Sequence, residues 1–406
     1  MGDLAINGDS AIALAWKQID PDVCAAYPIT PQTIIVEKFS DYVANGEVGT
    51  EFVCVESEHS ALTVCTSSCS AGARTFTATS SQGLAYMWEM LPITSAMRVP
   101  LVMAVANRAI SGPINIHNDH GDVMSARDTG WLQIFAENVQ EAYDNAIMAP
   151  RIAEHPDIQL PIMTNLDGFI LTHAIERMTP LADEVVKKFV GEFKPLHPLL
   201  DYKHPITHGL MDAPDFYYEH KYQLVHAMEK AFKVIEDVFA EIEKISGRKY
   251  SIVESYMCDD AEYVAVVLGS SFGTMKEAVD QLRAKGKKVG VCMPRIMRPW
   301  PAKYLAKVLA GKKAVAGDVA CTFETKTIRK LSDLSDGIYD AAEKLTELRK
   351  KISTGEWDKE SEDIRDMLIP AMEELRRKCD AAEIITAKEY WPFPTYGDLM
   401  FDVIRA

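Results

Sequence analysis

Cys24-Ala-Ala-Tyr-Pro-Ile-Thr-Pro-Gln-Thr33 is the stretch that best indicates how this chain folds. An apolar strand pattern runs directly into two prolines, and a helical pattern begins near Gln32. Because proline fixes φ, lacks an amide donor and restricts the preceding residue, neither a helix nor a central strand can continue here. Thr30 is therefore expected in a rigid loop at the carboxyl end of a strand, where open α/β sheets bind their ligands.

Residues 1–170 alternate strand and helix patterns, which predicts βαβ units in a parallel sheet with right-handed crossovers. Asp9 is predicted to cap the first helix, and the helix over residues 81–97 is predicted to bend or break at Pro92. About five parallel strands are expected, at Val23–Tyr27, Glu51–Glu56, Arg74–Thr79, Pro100–Ala106 and Leu160–Asn165.

The rest of the chain divides into three segments. Residues 171–255 are irregular, rich in proline and histidine, and carry a charged helix over about Tyr222–Lys244, which indicates a connector. Residues 256–327 resume the strand and helix patterns and predict a second α/β domain with a last strand at Lys313–Val319. Residues 328–406 predict a charged helical extension, which either stands apart with solvated faces or continues the second domain.

Size, charge and cysteine content narrow the class of protein. The chain has 406 residues and a formal net charge of −16, which argues against a nucleic-acid-binding surface. Its apolar runs are too short to span a membrane and its N-terminal residues do not form a secretory signal, so a cytoplasmic protein is expected. The eight cysteines are dispersed and are expected to be buried reduced thiols, and no run of four cysteines is spaced to bind an iron–sulfur cluster.

Three polar segments follow other predicted strands. Glu58 starts a helix, where it is either a first-turn acid or a functional carboxylate. Thr77-Ala-Thr-Ser-Ser-Gln-Gly83 is either an ordinary turn or a place where the backbone approaches a ligand closely. Arg108 ends an apolar strand, so its guanidinium either binds a ligand carboxylate through two parallel hydrogen bonds or forms a structural ion pair with Asp119, Asp122 or Asp128.

Histidines 117 and 120 flank Asp119 and could imitate a metal cluster. No third ligand follows at a recognised spacing, so bracing of the loop is the favoured interpretation.

The sequences of these segments resemble those of the α subunit of 2-oxoacid:ferredoxin oxidoreductases of the pyruvate:ferredoxin oxidoreductase type. The resemblance covers roughly residues 5–310 and rests on several motifs in the family's order. They are Ala26-Tyr-Pro-Ile-Thr-Pro-Gln32, Glu56-Ser-Glu-His59, Ala78-Thr-Ser-Ser-Gln-Gly-Leu84, Ala106-Asn-Arg-Ala109, Asp119-His-Gly-Asp-Val-Met124, Arg127-Asp-Thr-Gly-Trp131, Glu262-Tyr-Val-Ala-Val-Val-Leu-Gly-Ser270 and Arg298-Pro-Trp-Pro301.

The resemblance implies a fold and a set of site residues. Residues 1–170 would be a parallel-sheet domain of the thiamine pyrimidine-binding type, and residues 256–327 an α/β domain of the transketolase C-terminal type. Glu58 would contact the pyrimidine of thiamine diphosphate, a contact that promotes loss of the thiazolium proton, with Tyr27 and Pro28 beside the same cofactor. Thr30 and Arg108 would bind the 2-oxo acid.

The resemblance also implies a reaction and partner chains. A 2-oxo acid such as pyruvate would be decarboxylated, coenzyme A would accept the acyl group, and two electrons would leave through iron–sulfur clusters. This chain lacks the Gly-Asp-Gly run and following Asn pair that usually bind magnesium and the cofactor diphosphate. A β-type subunit would therefore supply the diphosphate site, magnesium and a cluster, together with a ferredoxin-like δ subunit and a γ-type subunit. Ferredoxin, or NAD through a further subunit, would be the final acceptor.

One departure from the family wording leaves alternatives open. After Val319 the family's Asp-Arg pair and Gly-rich stretch are missing, and Ala320-Cys-Thr-Phe-Glu324 stands there instead. An aryl 2-oxo acid such as phenylglyoxylate is one alternative substrate. A non-catalytic scaffold for a thiamine-binding partner is a different class of function, and a self-sufficient transketolase-like enzyme is disfavoured by the missing diphosphate motif.

Overall fold

The computed structural model describes residues 2–209, 211–314, 322–352 and 357–386. The chain divides into two compact units, residues 1–315 and 316–406. The predicted domain boundaries at residues 170, 255 and 327 stay predictions. None of the helices within the described ranges is long and apolar enough to cross a membrane.

The first unit contains thirteen strands and eleven helices in its described residues. The strands are β1 (Leu4–Asn7), β2 (Val23–Ala26), β3 (Glu51–Cys54), β4 (Thr75–Thr79), β5 (Val102–Asn107), β6 (Leu132–Phe135), β7 (Ile162–Asp167), β8 (Ile175–Met178), β9 (Val253–Tyr256), β10 (Tyr263–Val266), β11 (Val289–Pro294), β12 (Ile296–Arg298) and β13 (Lys313–Ala314). The helices are α1 (Gly8–Ile19), α2 (Thr33–Ala44), α3 (Glu58–Ala71), α4 (Ser81–Tyr86), α5 (Met90–Ala96), α6 (Gly121–Ser125), α7 (Val139–Ala153), α8 (Asp183–Val190), α9 (Pro214–Ser246), α10 (Ser271–Ala284) and α11 (Ala302–Leu309).

The main sheet has seven strands in the order β12-β6-β7-β5-β4-β2-β3. Six of them are parallel, and β12 runs antiparallel to β6 at one edge. The five predicted parallel strands are present, and β6 is a sixth strand that was not predicted. The chain order reverses between β2 and β4, so the crevice at their carboxyl ends is the topological switch point where such sheets bind ligands.

Burial of both faces explains the apolar strand patterns. Strands β5 and β7 are buried along their whole length between helix layers, as expected for central parallel strands. On one face the indole of Trp16 lies 5.7 Å from the ring of Phe39 and 5.3 Å from the ring of Phe76. This burial of large apolar side chains is the main favourable contribution to the stability of the unit.

Two local predictions in this region were wrong. Asn7, not Asp9, caps α1: its side chain accepts a hydrogen bond from the amide of Ser10 at 2.9 Å, and Asp9 lies inside the first turn. The predicted break at Pro92 instead falls at residues 87–89, between α4 and α5. Pro92 sits in the first turn of α5, where its missing amide has no intrahelical acceptor to lose.

A smaller sheet follows, in the order β13-β10-β11-β9. Strand β10 pairs parallel with β11 and β13, and β9 is antiparallel. The helix expected over about Tyr222–Lys244 is longer, because α9 begins with Pro214 in its first turn, a position that suits proline. Of the predicted strand Lys313–Val319, only β13 lies within the described residues.

The described part of the second unit is helical, as predicted. It contains α12 (Thr322–Ile352), α13 (Trp357–Asp363), a π-helical turn (Ile364–Leu368) and α14 (Ile369–Ile385). Within this unit Lys344 of α12 pairs with Glu374 of α14 at 3.0 Å. Ala341 and Ala371 are buried, so the two long helices pack through small residues.

Candidate active site

The predicted site residues lie at the carboxyl edge of the main sheet, around the switch point. The proline loop follows β2, Glu58 begins α3 after β3, and the Ser80–Gln82 turn follows β4. Arg108 follows β5 directly. Four neighbouring strands therefore deliver polar groups to one edge.

Gln32 holds the proline loop in place. Its side chain is fully buried, and Nε2 donates to the carbonyl of Tyr27 at 3.1 Å and to the carbonyl of Ala78 at 2.8 Å. The second bond joins the loop after β2 to the end of β4 across the switch point. Gln32 was predicted from the sequence only as the start of a helix. The available signal for its role was a lone amide side chain that begins a helix with an apolar inner face.

Arg108 reaches across the same crevice. Its guanidinium donates to the carbonyl of Thr30 at 2.7 Å and to the side-chain oxygen of Gln82. The side chain is only 6% exposed, and its buried Nε has no hydrogen-bond partner. Burial lowers the pKa of Arg108, and the nearby charge of Asp122 opposes this shift.

The guanidinium of Arg108 forms no ion pair with any carboxylate in the described part of the chain. The structural ion pair considered as an alternative is therefore wrong for Asp119, Asp122 and Asp128. Asp128 pairs with Arg127 and Arg298 instead, and the carboxylate of Asp122 accepts from the backbone amide of Arg108 at 3.0 Å. Arg108 is thus a buried cation whose side chain contacts only neutral acceptors.

Glu58 is a buried first-turn residue that does not cap its helix. Ser57 is the N-cap of α3 and accepts from the amide of Ser60 at 3.2 Å. Glu58 is 8% exposed as a residue, and its carboxyl group has no hydrogen-bond partner among the described residues. It lies directly against Gly83, where an added Cβ would be 2.8 Å from Oε1 of Glu58 and 2.4 Å from Oγ1 of Thr79.

The turn after β4 presents unpartnered polar atoms next to this carboxyl group. Oγ1 of Thr79 and Oγ of Ser80 are buried and have no hydrogen-bond partner. Buried polar atoms are nearly always paired in folded proteins, so these two hydroxyls are suited to a ligand. Gln82 contacts Arg108 and its neighbour Gly83 contacts Glu58, so one short segment connects the two charged groups.

The other predicted residues stand at the rim. Tyr27, Pro28 and Thr30 are exposed, and Thr30 touches Arg108 through its backbone carbonyl. The structure therefore brings Thr30 and Arg108 into direct contact. Among the described residues Glu58 forms no hydrogen bond or ion pair with either of them, but it lies against Gly83, the residue that follows the Arg108 partner Gln82 in α4. No contact between Glu58 and Tyr27 or Pro28 is present among the described hydrogen bonds and ring contacts.

His120 braces a loop at this edge, as the favoured interpretation of the histidines predicted. Its Nε2 lies 2.9 Å from Oδ1 of Asp167, the last residue of β7. Asp167 also accepts from the amide and the hydroxyl of Ser270. Asp167 was not among the predicted site residues, and its place at the end of an apolar strand was the available signal. His117 instead lies beside the ring of Phe169, with the two ring centroids 5.2 Å apart.

The seven cysteines of the described residues are free thiols. Five are buried as predicted, namely Cys24, Cys65, Cys69, Cys258 and Cys292. Cys54 is exposed, contrary to that prediction, because it ends the edge strand β3. Burial raises the pKa of Cys65 to about 12, which favours the protonated thiol at neutral pH.

Two family models match most of the chain. The family described as pyruvate flavodoxin/ferredoxin oxidoreductase, thiamine diphosphate-binding, matches residues 14–240, and the one described as pyruvate:ferredoxin oxidoreductase core domain II matches residues 261–352.

Similar proteins agree with these matches. Pyruvate synthase subunit PorA of Thermotoga maritima is 54% identical over 312 residues, which cover 77% of this chain and 80% of the relative. Ketoisovalerate oxidoreductase subunit VorA of Pyrococcus abyssi is 44% identical over 312 residues, covering 77% of this chain and 78% of the relative.

A solved structure supports the fold. The 2-oxoglutarate:ferredoxin oxidoreductase of Magnetococcus marinus aligns with a TM-score of 0.63 at 19% identity, over 77% of this chain and 57% of that chain. With these matches, the parallel-sheet domain and the smaller α/β domain have the predicted fold class. The chain belongs to the family of α subunits of 2-oxoacid:ferredoxin oxidoreductases.

Proposed function

We propose that this chain contributes the substrate-binding cation and the cofactor-activating carboxyl group to an enzyme that oxidises pyruvate to acetyl-coenzyme A and carbon dioxide. The observation that carries this proposal is the buried guanidinium of Arg108 at the switch point of the sheet, which forms no ion pair with a carboxylate of the described residues. A buried charge is costly unless it is paired, and Arg108 contacts only neutral acceptors. The carboxylate of a 2-oxo acid would form an ion pair with this guanidinium and accept a hydrogen bond from its unpartnered Nε.

The residues around Glu58 fit thiamine diphosphate. Glu58 is a buried residue whose carboxyl group has no hydrogen-bond partner among the described residues, the absence of a side chain at Gly83 lets that group lie against the backbone of α4, and the hydroxyls of Thr79 and Ser80 lack partners. When bound, thiamine diphosphate supplies the nucleophilic carbon that decarboxylation of a 2-oxo acid requires. Glu58 would hold the pyrimidine nitrogen through a hydrogen bond, with Tyr27 and Pro28 at the exposed rim beside it.

Three residues of this chain have distinct tasks in substrate binding. Arg108 binds the carboxylate of the substrate, and Thr30 lines the same pocket from the proline loop. Gln32 keeps that loop fixed, so the substrate is oriented by a rigid surface. Coenzyme A would accept the acyl group, and two electrons would pass to iron–sulfur clusters on partner chains.

Pyruvate is the favoured substrate, because the PorA proteins are named as subunits of pyruvate synthase and reach 54% identity. A branched 2-oxo acid is the second candidate, because VorA is named for ketoisovalerate and reaches 44%. Neither similarity favours the aryl 2-oxo acid or the non-catalytic scaffold.

The partners are part of the proposal. A β-type subunit would bind the cofactor diphosphate, magnesium and a cluster, and γ-type and ferredoxin-like δ subunits would complete a cytoplasmic complex. Ferredoxin would take the electrons, with an NAD-linked acceptor as the alternative. The subunit names of the relatives and the missing diphosphate motif support this arrangement.

Two variants in the assembled, purified complex test the proposal. Arg108→Ala should lower kcat/KM for pyruvate roughly 30- to 900-fold, which corresponds to a loss of about 2–4 kcal/mol of transition-state stabilisation. The reason is that the variant removes one partner of a buried charge pair. Glu58→Gln should abolish turnover while the complex still assembles. Activity is measured with pyruvate, coenzyme A and a dye acceptor, alongside a panel of other 2-oxo acids.

The two variants separate the alternatives. Unchanged kinetics in Arg108→Ala would assign that residue to structure. Unchanged turnover in Glu58→Gln would leave this chain as a scaffold. A higher kcat/KM for a branched or aryl 2-oxo acid in the wild-type complex would overturn the assignment of pyruvate.

A further inference from the structure

Asp122 is a buried carboxylate to which the proposed function gives no task. It is 1% exposed and accepts four hydrogen bonds from nitrogen atoms. Oδ2 accepts from the backbone amides of Arg108 at 3.0 Å and Ser81 at 3.1 Å. Oδ1 accepts from the side chain of Asn107 at 3.1 Å and from the amide of Val123 at 2.7 Å.

The four donors belong to three separate segments of the fold. Ser81 lies in the turn after β4, Asn107 and Arg108 lie at the end of β5, and Val123 lies in α6. A charged acceptor makes stronger hydrogen bonds than a neutral one, so Asp122 fixes these segments relative to each other. Burial raises the pKa of Asp122, and the four bonds oppose that shift.

The positions of both the backbone amide and the guanidinium of Arg108 depend on the hydrogen bonds of Asp122. Its backbone amide binds Asp122 directly. Its guanidinium binds Gln82, which follows Ser81 in the turn that Asp122 also holds. Ser81 has φ of +47°, a conformation that non-glycine residues rarely adopt, so this turn requires contacts that hold it.

We propose that Asp122 is a positioning residue that aims the guanidinium of Arg108 at the carboxylate of the 2-oxo acid, an inference that rests on the proposed function. Asp122 acts through the backbone of Arg108 and the turn that carries Gln82, and does not itself contact the guanidinium. Its loss should therefore weaken substrate binding only where Arg108 is present.

A double-mutant cycle in the assembled complex tests this inference. Asp122→Asn keeps the size of the side chain and replaces a charged acceptor with an amide. We expect Asp122→Asn to raise the KM for pyruvate roughly 10- to 50-fold with a smaller change in kcat. In an Arg108→Ala background, the same substitution should raise KM by less than about twofold. The dissociation constant of the unreactive analogue oxamate, measured by calorimetry, should rise by the same factor as KM.

Asp144→Asn is the matched control. Asp144 is fully buried in α7 and accepts from Arg248 and Tyr250, and its carboxylate makes no hydrogen bond to a residue of the candidate site. This variant should lower the melting temperature and leave the KM for pyruvate and the affinity for oxamate unchanged.

Three outcomes would overturn the inference. They are an unchanged KM in Asp122→Asn, an equal rise of KM with and without Arg108, and an equal rise in the Asp144→Asn control. If Asp122→Asn does not assemble, Asn107→Ala removes one donor to the same carboxylate. It should raise KM roughly 3- to 5-fold only where Arg108 is present, and an unchanged KM there would overturn the inference. If Arg108→Ala alone leaves KM unchanged, the assigned substrate role of Arg108 fails first, so the two failures are distinguishable.

Discussion

At the scale of single residues, the site depends on a glycine, Gly83, as well as on its charged residues. The absence of a side chain at Gly83 lets the carboxyl group of Glu58 and the hydroxyl of Thr79 both lie against its backbone. An alanine there would place its Cβ within 3 Å of both groups, closer than real Cβ atoms approach any neighbour. Gly83 therefore lets Glu58 keep the position that its proposed contact with the cofactor requires.

We predict that Gly83→Ala weakens the binding of thiamine diphosphate to the assembled complex. Overpacking of this kind costs about 1–3 kcal/mol, so the dissociation constant should rise roughly 5- to 150-fold. Calorimetric titration of the cofactor into the apo complex measures it. Gly49→Ala is the control, because the nearest atom to its added Cβ would be 3.8 Å away. Equal cofactor affinity in the two variants would contradict the prediction.

At the scale of elements, helix α1 contains an unsatisfied acid in its first turn. Asp9 is fully buried, neither carboxyl oxygen has a hydrogen-bond partner, and burial raises its pKa well above the ordinary value. Asn7 already provides the cap, so Asp9 is not needed for it. A carboxyl group with a raised folded-state pKa binds more protons in the folded than in the unfolded protein, so its contribution to stability falls as pH rises.

We predict that Asp9→Asn changes how stability depends on pH. The wild-type protein should lose stability as pH rises above the ordinary range of a carboxyl group, by up to about 1.4 kcal/mol per pH unit until the folded-state pKa is reached. Asp9→Asn lacks this loss, so its melting temperature should exceed that of the wild type at pH 8 by more than at pH 5. Melting curves of both proteins measure this, with the exposed Asp41→Asn as the control. A difference that does not grow with pH would contradict the prediction.

At the scale of the whole molecule, apolar side chains are exposed on the loops that follow β2 and β5. Tyr27 is 37% exposed and Ile114 is 62% exposed, and Ile110 and Ile116 share the same long loop after β5. Exposed apolar groups on the loops around a site agree with a surface that another chain covers. The sequence also lacks the motif that would bind the cofactor diphosphate. Both features agree with membership in a family of subunits.

We predict that the purified chain alone does not turn over pyruvate. Thiamine diphosphate, magnesium, coenzyme A and a dye acceptor should give no reduction above background, and activity should appear when the co-purified partner chains are added back. The reaction is followed by dye absorbance, with the native complex as the positive control. Turnover by the isolated chain would revive a self-sufficient transketolase-like enzyme.

The sequence by itself determined the parallel α/β architecture, the proline loop and the family, because strand and helix periodicity, proline chemistry and motif wording are local properties. It did not determine that Asn7 rather than Asp9 caps α1, because neighbouring polar residues compete for a cap and burial decides between them. Only the tertiary structure decided that Arg108 binds Thr30 and Gln82, that Asp122 holds its backbone and that Gly83 faces Glu58. Those contacts join residues from different strands, and their geometry depends on the order and register of the whole sheet.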